Sequence, residues 1–536
     1  MFKETHFNRL GVMLDCSRNA VMNIPTLKNW IDIMADLGYN TLMLYTEDTY
    51  EVDNQPYFGY LRGRYSQEEL RMIDNYAFEN GIEFIPAIQT LAHLKTIFRW
   101  SAYKGINDCN DILLAGDDST YQLIEDMFAS LEKTVRTRIV NIGMDEAHML
   151  GRGKYQDIHG FEDRFNILLN HLKRVAEIAK KHGFECIMWG DMFFSLLGGD
   201  YYSNESVPER VKEMIPDNVN LIYWDYYSTD NERYSNHIKS HSAVKNGIWF
   251  AGGLWSWKGF APHNDYSIDA TKAAFDACKE HGVKDVFLTM WGDDGAECSK
   301  FSLLPSLYYA AQIAHGVNDL DIIKKGFNEK FGMAFDDFML ADLPGTPNEK
   351  KNGVLNPEKY MFYNDCLLGQ FDSTVREGDA KTYENCAEKL KRIEINDRYG
   401  YVFKTLRTLC EVLSVKYDIG VRTRKAYESK DIAALKNIVA DYEHLIVLID
   451  AFYSAFKEQW EKENKPNGFE VQDIRIGGLR LRVQHCKERL EAFSKGKILS
   501  LSELEEPILD FLGSEKAYNR SPICFNWWSA TASMNL

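Results

Sequence analysis

No stretch of the chain approaches the roughly 20 consecutive apolar residues that a membrane-spanning helix requires. The opening Met1-Phe2-Lys3-Glu4-Thr5-His6 lacks the apolar segment of a secretory signal, so a cytoplasmic location is expected. Ten cysteines are scattered without a CxxC pair or a Cys/His cluster. They read as buried free thiols in a reducing compartment, with neither a disulfide frame nor a metal site. Positive charge is in deficit: 62 Lys and Arg against 79 Asp and Glu leave a net charge of −17. That balance argues against nucleic acid or an anionic membrane surface as partner, and suits a neutral substrate. No Gly-x-Gly-x-x-Gly follows a strand, so a dinucleotide fold lacks its signature, and no cofactor is expected.

What is present is length and rhythm. A chain of 536 residues exceeds what one core usually organises, so two domains are expected. Up to about residue 315, short apolar runs alternate with amphipathic helical patterns. Leu10–Leu14, Thr41–Tyr45, Glu83–Ile88, Ile139–Ile142, Cys186–Trp189, Leu221–Trp224, Ile248–Ala251 and Val286–Met290 read as buried parallel strands. Gly38, Gly81, Gly183 and Gly282 each stand between a helix end and the next strand. Ser66-x-x-Glu69 reads as a capping box, and Pro25 as the first turn of another helix. Eight such units fit an α/β fold of the (β/α)8 TIM-barrel type, assigned to residues 1–343. Pro344-Gly345-Thr346-Pro347-Asn348 through Asn356-Pro357 reads as a linker or long loop. Residues 344–536 then read as a C-terminal α-helical domain, with long patterns near 379–427, 430–463 and 469–494 and a break at Lys465-Pro466-Asn467-Gly468. The tail, with Phe525, Trp527 and Trp528, is too aromatic to float free and is expected to dock on its own domain.

A barrel of this kind places its chemistry at the C-terminal ends of its strands. In order, those ends carry Asp15-Cys16-Ser17-Arg18, Thr46-Glu47-Asp48, Gln89-Thr90-Leu91-Ala92-His93, Asp145-Glu146-Ala147-His148, Trp189-Gly190-Asp191, Tyr223-Trp224-Asp225, Trp255-Ser256-Trp257 and Trp291-Gly292-Asp293-Asp294. A lone acid at a strand end is more often a helix N-cap, and a lone Trp more often core. Six ends with the same chemistry are not explained that way. Indoles stack on sugar faces, carboxylates and Arg bind hydroxyls, and paired acids serve glycoside hydrolysis. Asp145-Glu146 is the sharpest pair. Neighbours in a strand point to opposite sides, so both reach one substrate only if the strand end twists and the two acids serve different atoms. That suits a substrate supplying its own nucleophile better than a nucleophile and acid about 5 Å apart across a sugar.

These residues resemble glycoside hydrolase family 20, the β-N-acetylhexosaminidases. Gly143-Met144-Asp145-Glu146 is similar to the family's strand-four Gly-Gly-Asp-Glu, and Asp15-Cys16-Ser17-Arg18 to its strand-one Asp-x-x-Arg. Tyr223-x-Asp225 is similar to its Tyr-x-Asp, and Trp291-x-Asp293 to its Trp-x-Glu. The resemblance covers roughly residues 6–320. It implies an exo-acting, retaining, substrate-assisted hydrolase acting on glycans with a terminal β-linked N-acetylhexosamine. Glu146 would be the acid and then the base, Asp145 would stabilise the oxazolinium charge, and Tyr223 would aim the acetamido oxygen. Arg18, Asp225 and Asp293 would bind hydroxyls, and Trp189, Trp255 and Trp291 would wall the sugar pocket. His93 with Glu47 or Asp48 would tune the acid. The chain departs from the family pattern at Met144, at Asp293, with Asp294 as a rival, and in lacking the α/β domain that commonly precedes the barrel. His148 has no counterpart and reads as structural. His93 and Asp48 lack a third partner that would make a metal site.

Two other readings remain at this stage. One is a two-carboxylate retaining glycosidase pairing Glu146 with Asp225 or Asp293, and the other is a non-catalytic carbohydrate-binding barrel. The sequence leaves open the GlcNAc or GalNAc preference, the linkage, and the oligomeric state, a homodimer included.

Overall fold

The computed structural model describes residues 5–197, 201, 209–245, 247–347, 354–513 and 523–536. Residues 348–353, part of the stretch read as a linker, lie outside the described residues. The chain forms two compact units, one of Met1–Leu254, Ser267–Trp291 and Tyr308–Asp319, the other of Trp255–Tyr266, Gly292–Leu307 and Leu320–Leu536.

The first unit is a closed barrel of eight parallel strands: β1 (Arg9–Asp15), β2 (Thr41–Glu47), β3 (Glu83–Ile88), β4 (Ile139–Asn141), β5 (Glu185–Trp189), β6 (Val219–Trp224), β7 (Trp249–Gly253) and β8 (Asp285–Met290). Each strand pairs with its sequence neighbours, and β1 closes the ring on β8, with Leu10 opposite Val286 and Leu14 opposite Met290. All eight sit where the apolar runs predict them, because strands covered on both faces leave near-continuous hydrophobic stretches. Local signals hold as well. Gly38, Gly81, Gly183 and Gly282 have φ of 81°, 74°, 74° and 73°, the left-handed geometry of helix C-termini. Ser66 and Glu69 form both bonds of the capping box, and Asn23 caps the helix that Pro25 opens.

Side chains alternate along each strand. The inward set includes Met13, Met43, Tyr45, Ile85, Ala87, Ile187, Trp189, Ile222, Trp249, Ala251 and Phe287, with Trp224 and Trp291 packed against it. This filled interior closes the barrel from below, where Arg9 pairs with Glu83 and Asp285 at the strand starts, and further polar residues stand at its upper rim.

The second unit is helical, built chiefly of Asp379–Lys391, Gly400–Lys416, Ile419–Glu428, Ile432–Glu463 and Phe469–Ser494. The last two are separated at Gly468, whose φ is 94°. A buried charge network lies inside this unit. Lys359 Nζ stands 2.9 Å from Glu297 and 3.2 Å from Asp294, while Arg475 reaches Asp294 at 2.7 Å and Glu297 at 3.1 Å. The C-terminal tail docks on the same network: the Trp528 amide donates to Asp294 at 2.6 Å, and Arg475 lies over the Trp528 ring. Among the described residues no helix is long and apolar enough to cross a membrane.

The buried carboxylate of Glu297 and the half-buried one of Asp294 depend on Lys359 and Arg475 for their charge balance, so Lys359→Met should unbalance the network. The expected cost is about 3–5 kcal/mol, read as a lower urea midpoint for the second unit. A midpoint equal to that of the unaltered chain would show that the network contributes nothing.

Candidate active site

Strand β4 is only three residues long, and the chain beyond it leaves the β region. Gly143, Met144 and Glu146 have φ of 72°, 69° and 53°. Side chains avoid that region because Cβ crowds the following carbonyl. Three other side chains hold the turn there. Asn141 accepts the Gly143 amide at 3.0 Å, Gln89 Oε1 accepts the Met144 amide at 3.1 Å, and Asp191 Oδ2 accepts the Glu146 amide at 2.9 Å. Only glycine fits at 143, since an added Cβ would lie 2.1 Å from Gln89 Oε1.

The turn cancels the opposed directions that a straight strand would impose. Asp145 Oδ2 stands 3.2 Å and Glu146 Oε2 3.7 Å from the same atom, Nε2 of His93. Asp145 is buried and also accepts from Gln89 Nε2 at 2.7 Å. Burial alone would push its carboxyl up, but the His93 charge and the hydrogen bonds from His93 and Gln89 outweigh it, and it is held below the usual range. Burial would lower His93, yet the charges of Asp145 and Glu47 raise it to about 9, so it is an imidazolium at neutral pH. The Glu146 side chain is 53% exposed and is the carboxylate of the pair open to solvent.

Around this pair lies a second set of polar groups on β1, β2 and β3. Arg18 pairs with Glu47 at 3.0 Å, and the Tyr45 hydroxyl donates to Glu47 at 3.2 Å while accepting from Gln89 Nε2 at 2.9 Å. Burial raises the Glu47 carboxyl, against the pull of Arg18 and His93. Asp48 is turned to Arg62, at 3.1 Å. The Trp291 ring meets Tyr45 edge-on at 4.8 Å and lies 5.9 Å from Trp189, whose buried indole N–H has no acceptor among the described residues. The structure thus brings Arg18, Glu47, His93, Asp145, Glu146, Trp189 and Trp291 together.

Strand β6 corrects two sequence expectations. Ile222 pairs with Trp249 and Trp224 with Ala251, all facing inward, so Tyr223, opposite Phe250, faces out. Its ring packs on His237, His241 and Phe250, away from the acid pair. Asp225 is buried and taken up: Oδ2 accepts from Tyr223 at 3.2 Å and Arg233 at 3.0 Å, and Oδ1 accepts the Tyr227 amide at 2.9 Å. Tyr226 is the tyrosine that turns to the barrel mouth. Its hydroxyl is in hydrogen-bonding range of Trp291 and Thr289 and within the field of Asp145, and its ring stacks on Trp224 at 5.3 Å.

Asp191 and Gln89 are further residues of the site that sequence reading did not select. Both stand at strand ends, in Trp189-Gly190-Asp191 and Ile88-Gln89-Thr90, but their partners are remote in sequence. Trp255 and Asp293 belong to the second unit, where Trp255 stacks on Trp257 at 4.3 Å. Of the two strand-eight acids, Asp294 is committed to Lys359 and Arg475. His148 is exposed, with its carbonyl accepting from Arg164.

Two family models match the chain: the glycosyl hydrolase family 20 catalytic domain over residues 7–245 and the glycoside hydrolase 20C C-terminal domain over residues 336–522. Beta-hexosaminidase 3 of Arabidopsis thaliana is 24% identical over 213 residues, covering 36% of this chain. Hexosaminidase D of Homo sapiens is 25% identical over 240 residues, covering 42% of this chain. The chain spans 38% and 46% of the length of these two curated relatives. The solved β-N-acetylhexosaminidase of Bacteroides fragilis NCTC 9343 aligns with a TM-score of 0.46 at 18% identity, over 63% of this chain and 71% of that one.

The turn after β4 makes a direct prediction. Gly143→Ala should displace Gln89 and shift both acids, and a displacement near 1 Å costs on the order of 10²-fold in turnover. Circular dichroism should remain that of a folded barrel. Unchanged turnover would show that the acids do not depend on this backbone.

Proposed function

The chain belongs to glycoside hydrolase family 20, and from that premise we propose that it releases terminal β-linked N-acetylhexosamines from glycans by a retaining, substrate-assisted reaction. The observation that carries this reading is the convergence of Asp145 and Glu146 on one imidazole nitrogen. Two consecutive residues drawn to one atom can serve two different atoms of one sugar, the acetamido nitrogen and the glycosidic oxygen. A covalent mechanism needs an acid and a nucleophile flanking the scissile bond, and Asp225, a carboxylate once available for that part, is occupied by Arg233 and Tyr223. The substrate's own acetamido oxygen fills the role instead.

In this mechanism Glu146, the solvent-open acid, protonates the glycosidic oxygen and later takes a proton from water. The acetamido oxygen attacks the anomeric carbon as the leaving group departs, and positive charge spreads over the forming oxazolinium ring. Asp145 remains ionised beside the His93 imidazolium, accepts the acetamido N–H, and opposes that charge. Water then opens the ring, and the product keeps its β configuration. Tyr226, in place of Tyr223, donates its hydroxyl proton to the acetamido oxygen and aims it. Arg18 binds ring hydroxyls with the part of its fork that Glu47 does not use. Trp189 and Trp291 line the sugar's apolar face.

Two substitutions test these roles. Glu146→Gln keeps the shape and removes the transferable proton, so kcat/KM should fall about 10²–10⁴-fold on oligosaccharides, and less on aryl glycosides with good leaving groups. Asp145→Asn should lower kcat far more than it alters KM, because its charge acts on the transition state. Near-normal hydrolysis of an oligosaccharide by the Gln variant, or a change confined to KM in the Asn variant, would overturn the assignments.

A further inference from the structure

Asp191 follows β5 and is buried beneath the acid pair. Its Oδ2 accepts the amide of Glu146, the residue at φ 53°, while the Trp224 indole N–H points at Oδ1 from 3.5 Å. Asn141 and Gln89 hold the two earlier amides of the same turn and are neutral. Asp191 is therefore the ionisable group among the three side chains that hold the turn, and it grips the acid's own backbone. We infer that Asp191 is a positioning residue of the reaction: it fixes the left-handed backbone that aims the Glu146 carboxyl, and its charge is coupled to the charge of the acid pair.

The groups facing it account for that coupling. Asp145 and Glu146 approach from the end of β4, with the His93 imidazolium beyond Asp145, and Trp224 approaches from β6. On the remaining side Gly190 packs on His241, an added Cβ there lying 3.1 Å from the ring, and burial keeps that imidazole neutral. No cation meets Asp191 directly among the described residues. Burial and the two neighbouring carboxylates raise it to about 7, despite the Glu146 amide. As pH rises through that range it gains a negative charge beside Asp145 and Glu146, and Asp145 and Asp191 titrate as one system.

This inference rests on Glu146 being the acid, and its test separates the two claims. Turnover of a 2-acetamido aryl glycoside by the unaltered chain tests the reaction. Asp191→Asn and Asp191→Ala test the positioning role. The Asn side chain still offers an acceptor to the Glu146 amide, so its kcat at acid pH should stay within several-fold of the unaltered chain. The Ala variant should lose on the order of 10²-fold in kcat, the scale of a misplaced catalytic group, with KM little changed. In Asp191→Asn a negative neighbour of the acid pair is gone, so the basic limb of the kcat/KM profile should move to lower pH. A readout independent of catalysis is the Glu146 amide resonance in 15N-glutamate-labelled protein. It should titrate near pH 7 in the unaltered chain and not in the Asn variant. Equal losses in both variants with an unmoved pH profile, a near-normal Ala variant, or a Glu146 amide that ignores pH around 7 would each overturn the inference.

Discussion

The left-handed turn at the end of strand β4 is the constraint on which the site depends. An ordinary strand end would send Asp145 and Glu146 to opposite faces, one into the barrel wall and one into the mouth. Positive φ at three of the four positions 143–146 instead swings both toward His93. Such a backbone is strained and persists only where its surroundings over-determine it. Here the surroundings are three side chains from three strand ends, Asn141, Gln89 and Asp191, each accepting one amide. The turn belongs to the barrel as a whole, since losing any of these acceptors would free a backbone donor in a buried place.

Electrostatics follow from the same arrangement. Gln89 accepts one amide through its oxygen and gives its nitrogen to both Asp145 and Tyr45, so one side chain sets the backbone and orients a carboxylate. The imidazolium of His93 keeps Asp145 ionised, while Asp191, with no such partner, is driven the other way. Carboxyl groups whose environments push them apart can divide the work of charge stabilisation and proton transfer. The exposure of Glu146 suits that division, since a solvent-open carboxyl is the one placed for the acid's part in the proposed reaction.

Much of this was legible in the sequence. The eight strands show as apolar runs because both faces of each are covered, and four glycines mark helix ends because left-handed geometry selects them there. Asp145-Glu146 stands out as an adjacent pair, and the need for a twisted strand end follows from strand geometry alone. The residues that enforce the twist do not. Gln89 and Asp191 act across 55 and 45 positions on the turn, as the contacts to Met144 and Glu146 show, and no local pattern signals such a partner. Tyr223 and Tyr226 differ by three positions, and the choice between them hangs on the register of β6 against β7, set by Ile222 opposite Trp249. Asp225 looks like a ligand in one dimension, but Arg233, eight positions further along, pairs with it in three.

The central claim is that these acids serve a nucleophile carried by the substrate. The most direct measurement compares two nitrophenyl β-glycosides with the same leaving group, one with an acetamido group at C2 and one with a hydroxyl. An intramolecular nucleophile can correspond to effective molarities on the order of 10⁵ M or more, so removing it deletes a reactant. The account predicts turnover of the acetamido compound with retention and near-inertness of the hydroxyl compound, a loss in kcat beyond the about 1–3 kcal/mol of one missing hydrogen bond. Comparable kcat values for the two glycosides would contradict it.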